Sequence, residues 1–285
     1  MSKPKTKSDI IRYVIMGVAL CVFIVCGVML IRIGIRYKND RNNNSSANKF
    51  VETAADPTGN DPTKDTEAST DGETKPQLPS FSANKVIDFS GLKEEAPSVQ
   101  GWIDVPSAGI SYPIVQAGDN EYYLTHAYND VEAWSGAIFL DHTNNPDFTD
   151  DHTFVYGHNM NDGSMFHGLL QYEGKTDGKK FYDKQMTDNG NYFYVYLEDS
   201  VRVYQIFSVS VVNIKDNYDA FRYLTDSFKL KDYVDYVTSI EQYDTGISYD
   251  GKSPVLTLYT CQSDSASGIR LMVHGQLVEV VDPKY

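Results

Sequence analysis

Hydrophobic positions follow three different patterns along the 285-residue chain. An unbroken apolar run, YVIMGVALCVFIVCGVMLI, occupies residues 13–31. A polar stretch follows it, and after residue 80 short runs of β-branched and aromatic residues alternate with turn signals. The pattern predicts an N-terminal segment with a membrane helix over 1–38, a disordered linker over 39–80 and a folded domain over 81–285.

The apolar run is long enough to cross a bilayer. As a helix it spans about 28 Å at ~1.5 Å per residue, close to the hydrocarbon thickness of a membrane. A cleavable signal peptide is the alternative, but its apolar region is usually only ~7 to 15 residues, and no clear small-x-small site follows the run. We therefore expect an uncleaved anchor. Four basic residues flank it on each side, so charge does not orient it.

The stretch from residue 39 to residue 80 is rich in Asn, Asp, Thr, Ser and Pro and contains one aromatic residue. Such a segment cannot bury enough apolar surface to order itself. Treated as a flexible coil of about 42 residues, it has an r.m.s. span of roughly 35 Å. We expect this linker to hold the folded domain away from the membrane.

The folded domain is predicted to be mainly β, with helical additions. Eight runs have the composition of strands, and they begin at residues 101, 110, 137, 152, 191, 202, 255 and 269. Their number and spacing indicate a closed barrel or a sandwich.

Three segments are predicted to be helical: 83–97, 164–172 and 227–242. The last has an apolar stripe at helical spacing and Asp226 as its candidate N-cap. Its stripe consists of Leu230, Tyr233, Val234, Val237 and Ile240. Gly91 weakens the prediction for the first segment, because glycine disfavours a helix interior. The stripe indicates core packing more than a partner surface.

Charge excludes one class of partner. The net charge is −14, and the basic residues are concentrated at the N-terminus. After Arg41 the chain has 17 basic and 37 acidic residues, because eight of the 25 basic and two of the 39 acidic residues lie up to that point. Nucleic acid is therefore not an expected partner of the folded domain.

The three cysteines differ in their surroundings. Cys21 and Cys26 lie inside the apolar run, where they are most simply small apolar residues, with lipidation as the alternative. Cys261 is alone in the folded domain and cannot form an internal disulfide there. It is either buried and inert, paired with another molecule, or a reactive thiol.

The local pattern places Cys261 at the end of a strand. In VLTLYTC, alternation puts Leu256, Leu258 and Thr260 on one face and Val255, Thr257, Tyr259 and Cys261 on the other. The polar loop QSDSASG follows, which leaves space beside the sulfur. This position favours a thiol at the rim of a cleft, with a buried structural thiol as the alternative.

Two further residues have the chemistry to assist a thiol. Arg270 enters the last strand on the face of Met272 and His274, where it either pairs with a carboxylate or serves as an oxyanion donor near Cys261. His158 follows a predicted strand and precedes a polar loop, so it is the best candidate for a proton-handling partner.

The other histidines have weaker cases. His274 lies ~13 Å along its strand from Arg270, too far to share the same rim. His126, His142, His152 and His167 are predicted to be surface or turn residues.

At these residues the chain resembles the sortases. TLYTC at 257–261 resembles their TLxTC signature, VYGHNM at 155–160 their histidine segment and IRLMVHGQLV at 269–278 their arginine strand, in the same order. The resemblance covers roughly residues 84–281. GHNMNDGSMF and the helical insert before the cysteine strand are similar to class B members. Tyr259 departs from the small serine more common there, and Gln262 replaces a residue that is sometimes acidic; both concern substrate preference.

The resemblance implies a closed eight-stranded barrel and a cysteine transpeptidase, without a cofactor, on the outer face of a Gram-positive-type bacterium. It implies that Cys261 is the nucleophile, His158 the acid and base and Arg270 the oxyanion donor. It also implies substrate contacts from Thr260, Asn159 and Tyr259 and from the segment between the sixth and seventh strands.

The partners implied by the resemblance are secreted proteins with a C-terminal sorting motif and a peptidoglycan-precursor or pilin amine. The orientation it implies is a single-pass membrane protein with its N-terminus inside and its catalytic domain outside the cell. Wall anchoring is the expected function, and pilin polymerisation or an inactive peptide-binding barrel are the alternatives.

Two other kinds of site are less favoured by the sequence. A papain-like hydrolase normally has its nucleophile at a helix start near the beginning of its domain, before the histidine. No metal site is expected, because the histidines lack ligand spacing. The acidic loop DHTNNPDFTDDH at 141–152 could attract calcium but lacks the EF-hand pattern.

Overall fold

The computed structural model describes residues 7–53, 85–174, 177–189, 191–213, 229–261 and 268–283, with the backbone alone for residues 7–11, 53, 188–189 and 261. A small sheet pairs β1 (Val51–Thr53) with β2 (Lys85–Ile87). The remaining described strands are β3 (Val99–Val105), β4 (Ile110–Val115), β5 (Ile138–Leu140), β6 (His152–Tyr156), β7 (Tyr192–Tyr196), β8 (Val201–Asn213), β9 (Val255–Cys261) and β10 (Ile269–Val281).

Strands β3 to β10 close into a barrel in the order β10-β8-β7-β3-β4-β5-β6-β9, and β9 completes the circle against β10. Each of the eight predicted runs overlaps one of these strands, with ends that agree within two residues. The prediction of a closed barrel is therefore confirmed, and the sandwich alternative is wrong. Two pairings, β4 with β5 and β6 with β9, are parallel, and the other barrel pairings are antiparallel.

The barrel interior is filled by alternate residues of its strands. Leu256 and Leu258 of β9 belong to the interior core with Leu271 and Val273 of β10, and all four are fully buried. Their neighbours in sequence point outward, because successive side chains of a strand face opposite sides. The predicted division of the faces in these two strands is therefore confirmed.

The described helices are α1 (Lys7–Ser46), α2 (Phe89–Glu95), α3 (Gly178–Asn189) and α4 (Leu230–Ser239), with a 3₁₀ helix at Phe166–Tyr172. The segments predicted around 83–97, 164–172 and 227–242 each contain one of them. In α2 the side chain of Asp88 accepts a hydrogen bond from Gly91 N, so the glycine lies in the capped first turn, where it is tolerated. Asp226, the candidate cap of α4, lies outside the described residues.

Helix α3 has no counterpart among the predicted helices. Its segment, GKKFYDKQMTDN, is mostly polar, and its burial depends on a few side chains. Tyr182 is fully buried and donates a hydrogen bond to Ile206 O (2.7 Å). Phe181 and Met186 pack on the same core but are only partly buried. So few apolar positions leave little periodic signal in the sequence.

Helix α1 extends beyond the apolar run. It is long and apolar enough to cross a membrane, by length and composition, and it continues to Ser46, followed by a 3₁₀ turn at Ala47–Phe50 and by β1. The predicted linker is therefore wrong for residues 39–53. Composition misses this order because the polar residues Asp40 and Asn44 are buried against backbone groups that are distant in sequence. Residues 54–80 lie outside the described residues.

Helix α4 covers part of the outer barrel face, and the cluster beneath it has a polar centre. Thr257 Oγ1 lies 3.0 Å from His274 Nδ1 and 3.0 Å from His152 Nε2. Ser210 Oγ lies 2.8 Å from His274 Nε2, and Tyr233 of α4 reaches Thr257. His152 is therefore a partly buried member of this cluster, which corrects its prediction as a surface or turn residue.

Burial keeps both histidines of this cluster neutral. It lowers the pKa of His274 to about 3 and, together with the nearby His274, lowers the pKa of His152 well below its ordinary value. Because an unfolded chain protonates its histidines near pH 6.5, the unfolded state takes up these protons first as the pH falls. The stabilising contribution of His274 is thus complete above about pH 6.5 and is lost progressively towards pH 3.

We expect His274→Gln to reduce the acid sensitivity of the fold. Between pH 7 and pH 5 the wild-type protein should lose about 2 kcal/mol of unfolding free energy through His274 alone, and the variant should lack this contribution. Urea unfolding at the two pH values measures it. Equal pH dependence in the two proteins would show that His274 is not held neutral.

Candidate active site

The pairing of β6 with β9 brings the predicted histidine and cysteine together. The strands are parallel, Tyr156 pairs with Tyr259, and Gly157 N donates to Tyr259 O at 3.2 Å. Continuing that register by two residues places the backbone of His158 level with that of Cys261. The two residues, 103 positions apart in sequence, thus lie at the same end of neighbouring strands.

Strand β10 brings the predicted arginine to the same place from the other side. It pairs antiparallel with β9, and Arg270 is the direct partner of Cys261. Cys261 therefore lies between a strand that ends just before His158 and a strand that begins at Ile269. The backbone positions of the three predicted catalytic residues meet at one end of the barrel.

The imidazole of His158 has a defined contact. Its Nε2 lies 2.8 Å from the carbonyl oxygen of Leu124. A carbonyl only accepts, so Nε2 carries a hydrogen, and in the neutral ring Nδ1 is then the unprotonated nitrogen. The backbone of His158 is also held, because its carbonyl accepts from Phe166 N at 2.9 Å. This histidine is thus fixed by both its ring and its main chain.

The residues after His158 form a closed turn. Asn159 pairs with Met165 in an isolated β-bridge, and Gly163 adopts a positive φ of 86° between them. The Asn159 Oδ1 atom accepts from His167 Nδ1 at 2.7 Å. Asn159, predicted to contact substrate, therefore also holds this turn closed beside the site.

Arg270 is half-buried, and its Nη1 donates to the carbonyl oxygen of Ile269 at 3.0 Å. Within the described residues no carboxylate forms an ion pair with it. The guanidinium carries five N–H donors in a planar fork, so a pairing with one backbone carbonyl leaves a permanent positive charge near Cys261.

The other two predicted substrate contacts, Thr260 and Tyr259, directly precede Cys261 and lie on opposite faces of β9. Thr260 is buried on the interior face, with 1% of its surface exposed, and its Oγ1 has no hydrogen-bond partner among the described groups. Tyr259 lies on the outer face, where its ring meets that of Tyr156 edge to face with centroids 5.2 Å apart. The three predicted contacts thus surround the strand end without sharing one surface.

One part of the site consists of backbone groups and was not predicted from the sequence. Leu124 contributes only its carbonyl oxygen, which any residue could supply, so no residue type signals it. Gly136, which has a φ of +55° and lies against the backbone of Tyr123 and Leu124, was also missed. Its signal is the glycine itself, because an added Cβ would meet those carbonyls.

The described residues contain no group of three or more His, Cys, Asp or Glu side chains that could hold a metal ion. In the acidic loop at 141–152, three aspartate carboxylates accept hydrogen bonds from neighbouring groups. Asp150 accepts from Asn145 N, Asp141 from Thr143 N, and Asp147 from Thr149 N. These bonds stabilise the turns of the loop.

Comparison with known sequences places nearly all of the barrel in one family. The family model described as Sortase domain matches residues 103–278. The chain is 31% identical over 198 residues to Sortase B of Listeria monocytogenes, covering 67% of this chain and 74% of the relative. It is 25% identical over 197 residues to Sortase B of Staphylococcus aureus, covering 67% and 75%.

Solved structures agree with these matches. The crystal structure of Clostridium perfringens sortase B is 31% identical, with a TM-score of 0.54, and the match covers 67% of this chain and 99% of that chain. A Bacillus anthracis protein similar to sortase B is 25% identical, with a TM-score of 0.59, covering 87% and 98%. The chain belongs to the sortase family, whose members are cysteine transpeptidases. Within that family it is most similar to class B.

We expect Gly157→Ala to displace His158. An added Cβ would meet the side chains of Ile138 and Phe166, one residue before the histidine. Overpacking of this kind typically costs about 1 to 3 kcal/mol. Thermal unfolding should show a lower midpoint, and peptide cleavage at a temperature where the variant stays folded should be slower. Wild-type stability and activity in the variant would contradict the prediction, because they would show that the added methyl group does not displace His158.

Proposed function

We propose that Cys261, His158 and Arg270 carry the transpeptidation, and that the protein joins secreted proteins to a cell-wall precursor from the outer side of the membrane. The observation that carries the assignment is the register of β6, β9 and β10, which aligns the three residues at one barrel end. Membership of the sortase family supplies the reaction class.

In the first half-reaction the Cys261 thiolate attacks the carbonyl carbon of the scissile peptide in the sorting motif. The tetrahedral intermediate collapses to a thioester, and the C–N bond breaks as the leaving amine receives a proton from His158. The C-terminal part of the secreted protein departs, and its N-terminal part remains attached to the enzyme as an acyl group.

In the second half-reaction the amine of the acceptor attacks the thioester. His158 takes the proton from that amine, a new amide bond forms, and the Cys261 thiolate is released. Imidazole suits both directions because its ordinary pKa of ~6.5 lets it give and accept a proton near neutral pH. The acceptor we propose is the amine of a peptidoglycan precursor.

Arg270 stabilises the negative charge on the substrate carbonyl oxygen in both tetrahedral intermediates. A donor that is charged and positioned before the reaction gains most in the transition state, where that charge is largest. Its direct pairing with Cys261 across the sheet supports this role. Thr260, Asn159 and Tyr259, which surround the strand end, are proposed to contact the bound peptide.

Helix α1 is proposed to be an uncleaved, single-pass anchor with its N-terminus in the cytoplasm. Its apolar residues are exposed along the helix rather than packed on the barrel. This arrangement suits a lipid environment, and it would keep the enzyme where secreted proteins emerge and wall precursors are present.

Cys261→Ala should abolish transpeptidation, because no other group supplies the acyl-enzyme. The assay uses internally quenched peptides with xPxTG-like motifs and a nucleophilic amine, and mass spectrometry detects the acyl-enzyme in the wild type. Circular dichroism should show an unchanged fold, which separates a lost nucleophile from a lost structure. Normal turnover by the purified variant would reject the assignment.

Arg270→Lys should reduce kcat by about 100- to 1,000-fold, the usual effect of removing one oxyanion donor. Lysine keeps the charge but not the planar fork. Steady-state kinetics should show most of the change in kcat and little in KM. A change confined to KM would instead indicate that Arg270 only binds the ground-state peptide.

A further inference from the structure

The polar end of α1 docks on a loop of the barrel domain. Asp40 Oδ2 accepts from the backbone N–H groups of Trp134 (2.9 Å) and Ser135 (3.2 Å). One helical turn later, Asn44 Nδ2 donates to Ser135 Oγ (2.8 Å) and to Gly136 O (3.3 Å). Asp40 and Asn44 are 5% and 6% exposed, so their hydrogen bonds are formed away from water. Buried polar pairs of this kind fix a geometry, because breaking one leaves its partner unsatisfied.

The docked loop, residues 133–136, packs against Leu124, the residue whose carbonyl oxygen contacts the ring of His158. Ala133 N donates to Thr125 O (2.9 Å), and Ala137 N donates to Tyr123 O (3.0 Å). These two bonds bracket Leu124. Gly136 lies so close to this segment that an added Cβ would be 3.0 Å from Leu124 O. Leu124 O is the acceptor for His158 Nε2. A continuous path of hydrogen bonds and packed backbone therefore joins Asn44 to the imidazole.

A second contact joins α1 to the turn that follows His158. Arg41, between Asp40 and Asn44 in sequence, donates from Nη2 to the carbonyl oxygen of Asp162 (2.7 Å) and lies 3.3 Å from its carboxylate. Asp162 belongs to the closed turn that follows His158, where its Oδ1 accepts from Ser164 N. The Arg41 side chain is 58% exposed, so this ion pair contributes less than the buried bonds.

We infer that the end of α1 that lies outside the apolar run, residues 40–44, is a positioning element for His158. It holds the 133–136 loop, and through Leu124 it sets the orientation and tautomer of the imidazole. The anchor is thus a rigid support of the active site rather than a tether that keeps the domain at a distance. The inference rests on the proposed catalytic role of His158.

The test compares Asn44→Ala with Asn42→Ala in the full chain, reconstituted in nanodiscs. Asn42 is exposed on the same helix turn and is a matched control. Asn44→Ala should lower kcat about 10- to 100-fold with little change in KM, the effect expected when a catalytic group is misplaced by about 1 Å. Asn42→Ala should match the wild type. Ser135→Ala, which removes only one of the two bonds of Asn44, provides a milder variant if Asn44→Ala does not fold.

A second readout does not depend on turnover. In ¹⁵N-histidine NMR spectra, assigned with His158→Gln and recorded where the ring is neutral, the wild-type His158 ring should be the Nε2–H tautomer. Asn44→Ala or Ser135→Ala should shift it to a mixture of tautomers, with unchanged circular dichroism.

The outcomes separate this inference from the proposed function. Wild-type turnover with an unchanged kcat and an unchanged His158 spectrum in both loop-facing variants would overturn the positioning role alone. Equal losses in Asn42→Ala would also overturn it, because the effect would then not pass through the 133–136 loop. A wild type without turnover would reject the proposed function, while the tautomer measurement would still decide whether α1 positions His158.

Discussion

The parallel pairing of β6 with β9 is the constraint on which the site depends. It closes one side of the barrel, and its register decides which residue after β6 faces the end of β9. A slip of one residue would turn Leu256 and Leu258 out of the interior core and would move His158 away from Cys261 at the same time. The burial of the barrel core and the alignment of the candidate catalytic residues are therefore enforced by the same hydrogen bonds.

The outer face of β9 is supported by a different kind of packing. Beneath α4, aromatic rings surround two neutral histidines that share the hydroxyl of Thr257, and Tyr233 of α4 joins the same group. Thr257 lies four residues before Cys261 on the same strand. A polar group fully enclosed in this way fixes the position of α4 more narrowly than apolar contact alone, because each lost bond leaves a buried group unpaired. The same burial makes the stability of the fold sensitive to acid, because both histidines are held in the neutral form.

The polar end of helix α1 is bound to the barrel domain by buried hydrogen bonds, although its composition is that of a flexible linker. A segment of Asn, Asp and Arg residues reads as a solvated linker, yet two of these polar side chains are buried on backbone groups of the 133–136 loop. The loop in turn lies against Leu124, whose carbonyl holds the ring of His158. The membrane-length helix and the candidate active site thereby share one hydrogen-bonded framework.

The sequence by itself determined the eight strands, the inward and outward faces of β9 and β10, and the candidate residues Cys261, His158 and Arg270. These follow from alternation, from strand ends and from short motifs, all of which are local properties of the chain. Tertiary structure decided the rest: the neutral cluster around His152 and His274, the helix α3 anchored by Tyr182, and the docking of Asp40 and Asn44. In each case a polar or isolated side chain is stabilised by a partner far away in sequence, often a backbone carbonyl or amide. Every residue offers such backbone groups, so no pattern of residue types reveals which one is used.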